Sequence, residues 1–73
     1  MEVKKGQLYQ HYKGNQYKIL GVGKHSETLE EVVIYQDLAE EHIWVRPYDM
    51  FIESVKLEDG TIVPRFQLLN HEQ

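Results

Sequence analysis

The chain reads as an all-β protein: a small, partly closed β-barrel of SH3-like kind, with five to six short strands and one helical turn near residues 47–51. Three observations predict it. Runs rich in β-branched and aromatic residues recur along most of the chain. Turn chemistry separates them, at Lys13-Gly14-Asn15 and at Asp59-Gly60. A length of 73 residues allows one core only. A single flat sheet of that size would leave its apolar face bare, whereas curled strands bury the face on itself.

The elements follow in order. In Gln7-Leu8-Tyr9-Gln10-His11-Tyr12, Leu8, Gln10 and Tyr12 share one face, and Tyr9 and His11 share the other. Gly14 and Asn15 accept positive φ at low cost, so residues 7–22 read as a hairpin whose second strand is Gln16 to Gly23. Gly21 and Gly23, two apart, mark a bulge, a bend or a close backbone approach. Lys24 to Thr28 is a loop. Val32-Val33-Ile34-Tyr35-Gln36 is a continuous β-forming run, as in a central strand covered on both faces. Residues 37–41 lack β-formers and form a turn. His42 to Arg46 is the next strand, and Pro47 ends it because proline cannot donate to a ladder. Pro47 also suits the start of a helical turn. Phe51 to Val55 and Thr61 to Phe66 are strands joined through Asp59-Gly60, and Pro64 places the second at an edge. The rival folds are an OB-like barrel, for which no proper helix is visible, and a sheet carrying a helix over residues 27–41. Val32 to Tyr35 argues against the latter. The domain is expected to span residues 1–73, with an ordered core over about 6–69 and a polar tail at 70–73.

Twelve acidic against eight basic residues give a net charge of −4. A general phosphate-backbone binder needs the opposite balance, so nucleic acid is disfavoured as a partner, although a local basic patch remains open. Cysteine is absent, which removes disulfides and thiolate metal sites. The charged N-terminus has no apolar signal region, and no run nears the roughly 20 residues of a membrane span, so a cytoplasmic location without membrane contact is the expectation.

Two stretches carry the candidate chemistry. Trp44-Val45-Arg46-Pro47 groups the residue types that most often anchor recognition. Trp44 and Arg46 share one strand face, about 7 Å apart. Either Trp44 is core and Arg46 pairs with an acid, or Trp44 floors a groove in which Arg46 grips a carboxylate or phosphate. Arg65 is a second anion contact or a solvated edge residue. Five tyrosines, among them Tyr12, can form cross-strand aromatic pairs or line a binding surface. The other stretch is His25-Ser26-Glu27-Thr28-Leu29-Glu30. Adjacent side chains on a loop point apart, and no nucleophile elbow is present, so the stretch is not a hydrolase triad. Its plain reading is a capped turn in which His25 bonds to backbone. No histidine pair has a local metal-ligand spacing; a metal site would need the fold to join His11 or His25 with Glu27 or Glu30.

These blocks resemble a known family. Gly6-x-x-Tyr9-x-His11-Tyr12-Lys13-Gly14-x-x-Tyr17, His25-Ser26-Glu27-Thr28-x-Glu30, Val33-x-Tyr35-Gln36, Trp44-Val45-Arg46-Pro47-x-x-Met50-Phe51, Asp59-Gly60 and Pro64-Arg65-Phe66 are similar to the bacterial family catalogued as domain of unknown function 1653 (DUF1653). The resemblance runs from about Gly6 to Phe66. It implies a small bacterial cytoplasmic domain without an assigned activity. It also singles out His11, Tyr12, His25 to Thr28, Trp44, Arg46 and Arg65 as parts of the pattern.

The sequence thus predicts a non-enzymatic binding module with no catalytic set, metal or cofactor. Its ligand-binding residues would be Trp44, Arg46, His25, Glu27, Tyr12 and Arg65, gripping an anionic small molecule, a peptide or a nucleic-acid element. That cavity requires the His25 loop to meet the Trp44 strand. The alternatives are an enzyme or metal site on His11/His25 with Glu27/Glu30, and a homo-oligomerisation or protein-interaction domain, such as a homodimer.

Overall fold

A computed structural model describes residues 2–69. Seven strands and one helical turn follow one another as β1 (Leu8–His11), β2 (Gln16–Lys24), β3 (Glu31–Asp37), β4 (Ile43–Pro47), α1 (Tyr48–Phe51), β5 (Ser54–Lys56), β6 (Ile62–Pro64) and β7 (Phe66–Leu68). Five of them form an antiparallel sheet in the order β4-β3-β2-β1-β7, and β5 and β6 form a separate two-stranded ribbon. The protein is mostly β, as the sequence predicts, and the rival helix over residues 27–41 is absent. The strand count exceeds the expected five to six because the last run divides at Arg65. There the chain stops pairing with β5 and starts pairing with β1.

Each turn has a local cause. Gly14 adopts φ +114° and donates to the His11 carbonyl, which closes the β1–β2 hairpin. Gly60, at φ +92°, does the same opposite Leu57, while the Asp59 carboxylate accepts the Thr61 N–H. Asp37, buried, accepts from the N–H groups of Ala39 and Glu40 and so starts the β3–β4 turn. The doubled glycines coincide with a register shift: Ile19 stands opposite Tyr35 and Gly21 opposite Ile34, which leaves Leu20 as the extra residue of a bulge. Pro47 is tolerated on β4 because β4 is an edge.

Register assigns the inner face. Tyr9 on β1, Tyr17 and Ile19 on β2, Val33 and Tyr35 on β3, Trp44 and Arg46 on β4, and Phe66 and Leu68 on β7 all point the same way. Phe51 is delivered by α1 onto that face. Its ring stacks on Phe66 at 4.1 Å with the planes 6° apart, and meets Tyr9 and Tyr35 edge-on at 5.3 and 5.2 Å. The sheet is not closed into a barrel: β4 and β7 are its two edges and no ladder joins them among the described residues. Phe51 occupies the opening instead, so burial is achieved by a plug rather than by strand pairing.

The N-terminal segment is more deeply engaged than the expected start near Gly6 allows. Val3 is buried in the core and donates its N–H to the Tyr48 hydroxyl. Gln7, also buried, accepts from the Lys4 N–H and the Tyr9 hydroxyl. The polar tail expected at 70–73 lies outside the described residues.

The plug makes a stability prediction. Phe51→Ala should cost about 3–5 kcal/mol in urea denaturation, as for a fully buried aromatic. Met50→Ala, at the exposed position next door, should stay within about 0.5 kcal/mol. Equal small losses at both would show that the turn does not close the core.

Candidate functional site

Two side chains from separate parts of the chain, Arg46 and His11, converge on Phe66, and a third, Arg65, acts on His11. Arg46 leaves β4, donates from Nε to the Tyr35 hydroxyl at 3.2 Å and lies over the Phe66 ring at 5.8 Å. His11, at the end of β1, meets the same ring edge-on at 5.0 Å. Arg65, the residue between β6 and β7, acts electrostatically on His11, as do Arg46 and Lys13. Tyr17 adds a wall, with its ring 5.2 Å from Tyr35 and 5.6 Å from Phe66.

The electrostatics of this cluster oppose the charge of the chain. Arg65 pairs with Glu53 at 3.0 Å, but Arg46 has no carboxylate partner among the described residues. The His11 pKa is held below the ordinary 6.5, first by burial and then by the like charges of Arg65, Arg46 and Lys13. Its Nδ1 accepts the Lys13 N–H at 3.1 Å, which places the proton of the neutral ring on Nε2. The cluster therefore offers the guanidinium of Arg46 and a neutral imidazole donor beside an aromatic floor, with the Glu53-paired guanidinium of Arg65 acting on the same imidazole.

His11 also borders a groove of about 580 Å³, together with Tyr12, Leu57, Val63, Pro64 and Leu68. Tyr12 lies against His11, with ring centroids 4.6 Å apart, and under the Lys13 ammonium at 5.8 Å. A second hollow of about 140 Å³, between Glu30, Glu31, Tyr48 and Asp49, is acidic and small.

The predicted site residues fall into two groups. Arg46, Arg65 and Tyr12 gather around His11. Trp44 shares the inner face with Arg46, half exposed and edge-on to His42 at 6.2 Å, so it is not core. His25 and Glu27 lie in the loop beyond Lys24, whereas Trp44 lies level with Tyr35 and hence with Ile19. Five residues of β2 separate those levels, about 16 Å at strand rise. The loop and the tryptophan do not form one cavity. His25 caps its own turn: Nδ1 accepts from the N–H groups of Glu27 and Thr28, and Leu29 closes the loop at φ +63° with its N–H on the His25 carbonyl. His11 and His25 stand at opposite ends of β2, and no cluster of three potential metal ligands exists among the described residues. No helix among them is long and apolar enough to cross a membrane.

Phe66 was not among the expected site residues, Tyr17 and Tyr35 entered only among the five tyrosines that can line a binding surface, and His11 entered as a metal-ligand alternative and as part of the family pattern. One signal was available: Tyr9 and His11 share a strand face, which puts His11 on the core side of β1.

The field acting on His11 can be titrated. Its imidazole midpoint, followed by NMR, should lie below 6.5 and rise in both Arg65→Gln and Arg46→Gln. The unfolded state binds more protons between the two midpoints. His11's contribution to stability is thus fully present above the unfolded value and is lost as pH falls through the folded one. The stability difference between the wild type and His11→Gln should accordingly shrink on acidification. A midpoint unmoved by either arginine substitution would contradict the cluster.

The comparisons with known proteins agree with this fold. A family model described as a protein of unknown function (DUF1653) matches residues 7–68. The chain is similar to a protein of that same family from Bordetella bronchiseptica whose crystal structure is known. The identity is 32% over 99% of this chain and 94% of that one, with a TM-score of 0.81. No curated protein matches it.

Proposed function

The chain belongs to the DUF1653 family, and we propose that this domain is a binding module for an anionic ligand with an apolar body. The anionic group docks on Arg46, Arg65 and the Nε2–H of His11. The body lies along the groove that His11 shares with Tyr12, Leu57, Val63, Pro64 and Leu68. One observation carries the reading: in a chain of net charge −4, Arg46 and Arg65 both act on His11, and Arg46 has no carboxylate of its own among the described residues. Cations placed together in this way repel one another, and a bound carboxylate or phosphate relieves that repulsion. The same reading treats the curled sheet and its plugging turn as an SH3-like barrel left open between β4 and β7. Aromatic-lined recognition faces are a recurring use of such barrels. The acid excess elsewhere favours a small molecule or an acidic peptide group over an extended nucleic-acid backbone.

Amide and Arg Nε NMR spectra recorded with hexanoate, hexyl phosphate and hexylamine test this. The two anions should shift His11, Tyr12, Leu68 and the Arg46 Nε–H, raise the His11 pKa and weaken with salt. Arg46→Gln should reduce their affinity about 10-fold or more, the usual effect of losing a charge-assisted hydrogen bond. Equal shifts with the amine, or shifts scattered over the surface, would refute the assignment.

A further inference from the structure

The free edge of β4 is guarded at one end only. Ile43, Trp44 and Val45 are consecutive, apolar and exposed, at 60%, 48% and 63%. Edge strands are ordinarily guarded by a bulge, an inward charge or a proline within the strand. Here both guards, Arg46 on the inner face and Pro47, stand at the last two positions of the strand; the register against β3 runs without a bulge from Ile43 to Pro47, and Ile43 to Val45 carry neither charge nor proline.

The hydrogen-bond phase of this edge follows from the β3 ladder. The Asp37 N–H donates to the His42 carbonyl, so the alternating residues Trp44 and Arg46 also turn their backbone groups toward β3. Ile43 and Val45 turn theirs outward, where β3 cannot reach them. Pro47, next in that outward series, has no N–H to offer.

We propose that this edge pairs two copies of the chain, antiparallel about a two-fold axis at Trp44. With the axis there, Ile43 of each copy stands opposite Val45 of the other. The two residues exchange the outward N–H and C=O groups, and an apolar patch forms on the outer face. Trp44 meets Trp44 as a non-hydrogen-bonded pair, the arrangement that brings side chains closest. The ladder stops at Pro47 on both sides, so its length is self-limiting. The ends match in charge as well. Arg46, without a carboxylate partner among the described residues of its own chain, comes alongside His42 of the second copy. That histidine is held to Glu40 at 3.4 Å, and Glu41 follows in the same acidic turn. A closed, isologous contact results, with each residue serving both partners. It rests on the β4 edge and not on the anion-binding reading; His42 and Trp44 of the second copy would then border each Arg46.

Sedimentation velocity across a dilution series tests the pairing, with Trp44 fluorescence followed in parallel. The wild type should be a dimer that dissociates on dilution, with a change in emission of its one tryptophan. Ile43→Lys, which sets charge against the partner's Val45, and Val45→Pro, which removes an outward N–H while leaving the β3 ladder intact, should both sediment as folded monomers. Hydrogen exchange of the unmodified protein gives a second readout that does not depend on the variants folding. The Ile43 and Val45 amides should be protected at high concentration and lose that protection on dilution. A wild type that is monomeric throughout, or a dimer that survives both substitutions with those amides unprotected, would overturn the proposal.

Discussion

The stack of Phe51 on Phe66 is the contact on which the rest of this structure depends. A five-stranded sheet that never closes leaves an inner face with two open edges, and a domain of this size has little apolar surface to spare. One aromatic side chain from a four-residue turn fills the opening and touches rings on β1, β3 and β7 at once. Pro47 contributes by ending β4 with φ −54°, which sends the chain directly into that turn. The plug thereby fixes the curl of the sheet, and the curl brings a side chain of β4 over a ring of β7, at the far end of the strand order.

The site is a consequence of that closure. Phe66 is core on the side facing Phe51 and floor on the side facing Arg46 and His11. Arg46 is positioned by two contacts that cost it no charge, the Tyr35 hydroxyl and the Phe66 ring, so its guanidinium keeps its capacity for an anion. His11 stays neutral there through burial and the neighbouring cations, and contributes a directed donor rather than a further charge. Positive charge from Arg46, Arg65 and Lys13 thus acts together on His11 within a chain of net charge −4, over a range that salt and the neighbouring acids limit.

Much of the fold was legible from residues whose backbone demands are local. Gly14, Gly60 and the doubled glycines marked two turns and a bulge, Pro47 marked a strand end, and the Val32 to Gln36 run marked the central strand. What depended on distant partners was not legible. Val3 looks like part of a charged leader until the core that receives it is known. Barrel closure against plugging is decided by whether β4 and β7 can reach each other, a property of the whole sheet. For the site, the pairing of Trp44 with Arg46 on one face followed from strand alternation alone. The meeting of Arg46 with His11 and Arg65 joins β4, the end of β1 and the β6–β7 link, and no spacing in the chain encodes it. His25 shows the reverse: a polar cluster dense in sequence proved to be a turn that satisfies its own N–H groups.

The central claim, that the aromatic plug positions the guanidinium of Arg46, can be read from one resonance. In a ¹H–¹⁵N spectrum the Arg46 Nε–H should be displaced by the Phe66 ring current and should exchange slowly with water, because it is bonded to Tyr35. Replacing Phe51 with leucine, which keeps an apolar side chain but removes the stacked ring, should move this resonance toward the free-arginine position and speed its exchange while the β1–β2 amides stay dispersed. An Arg46 Nε–H already at the free-arginine position in the wild type, or one indifferent to the loss of the ring at 51, would contradict the account.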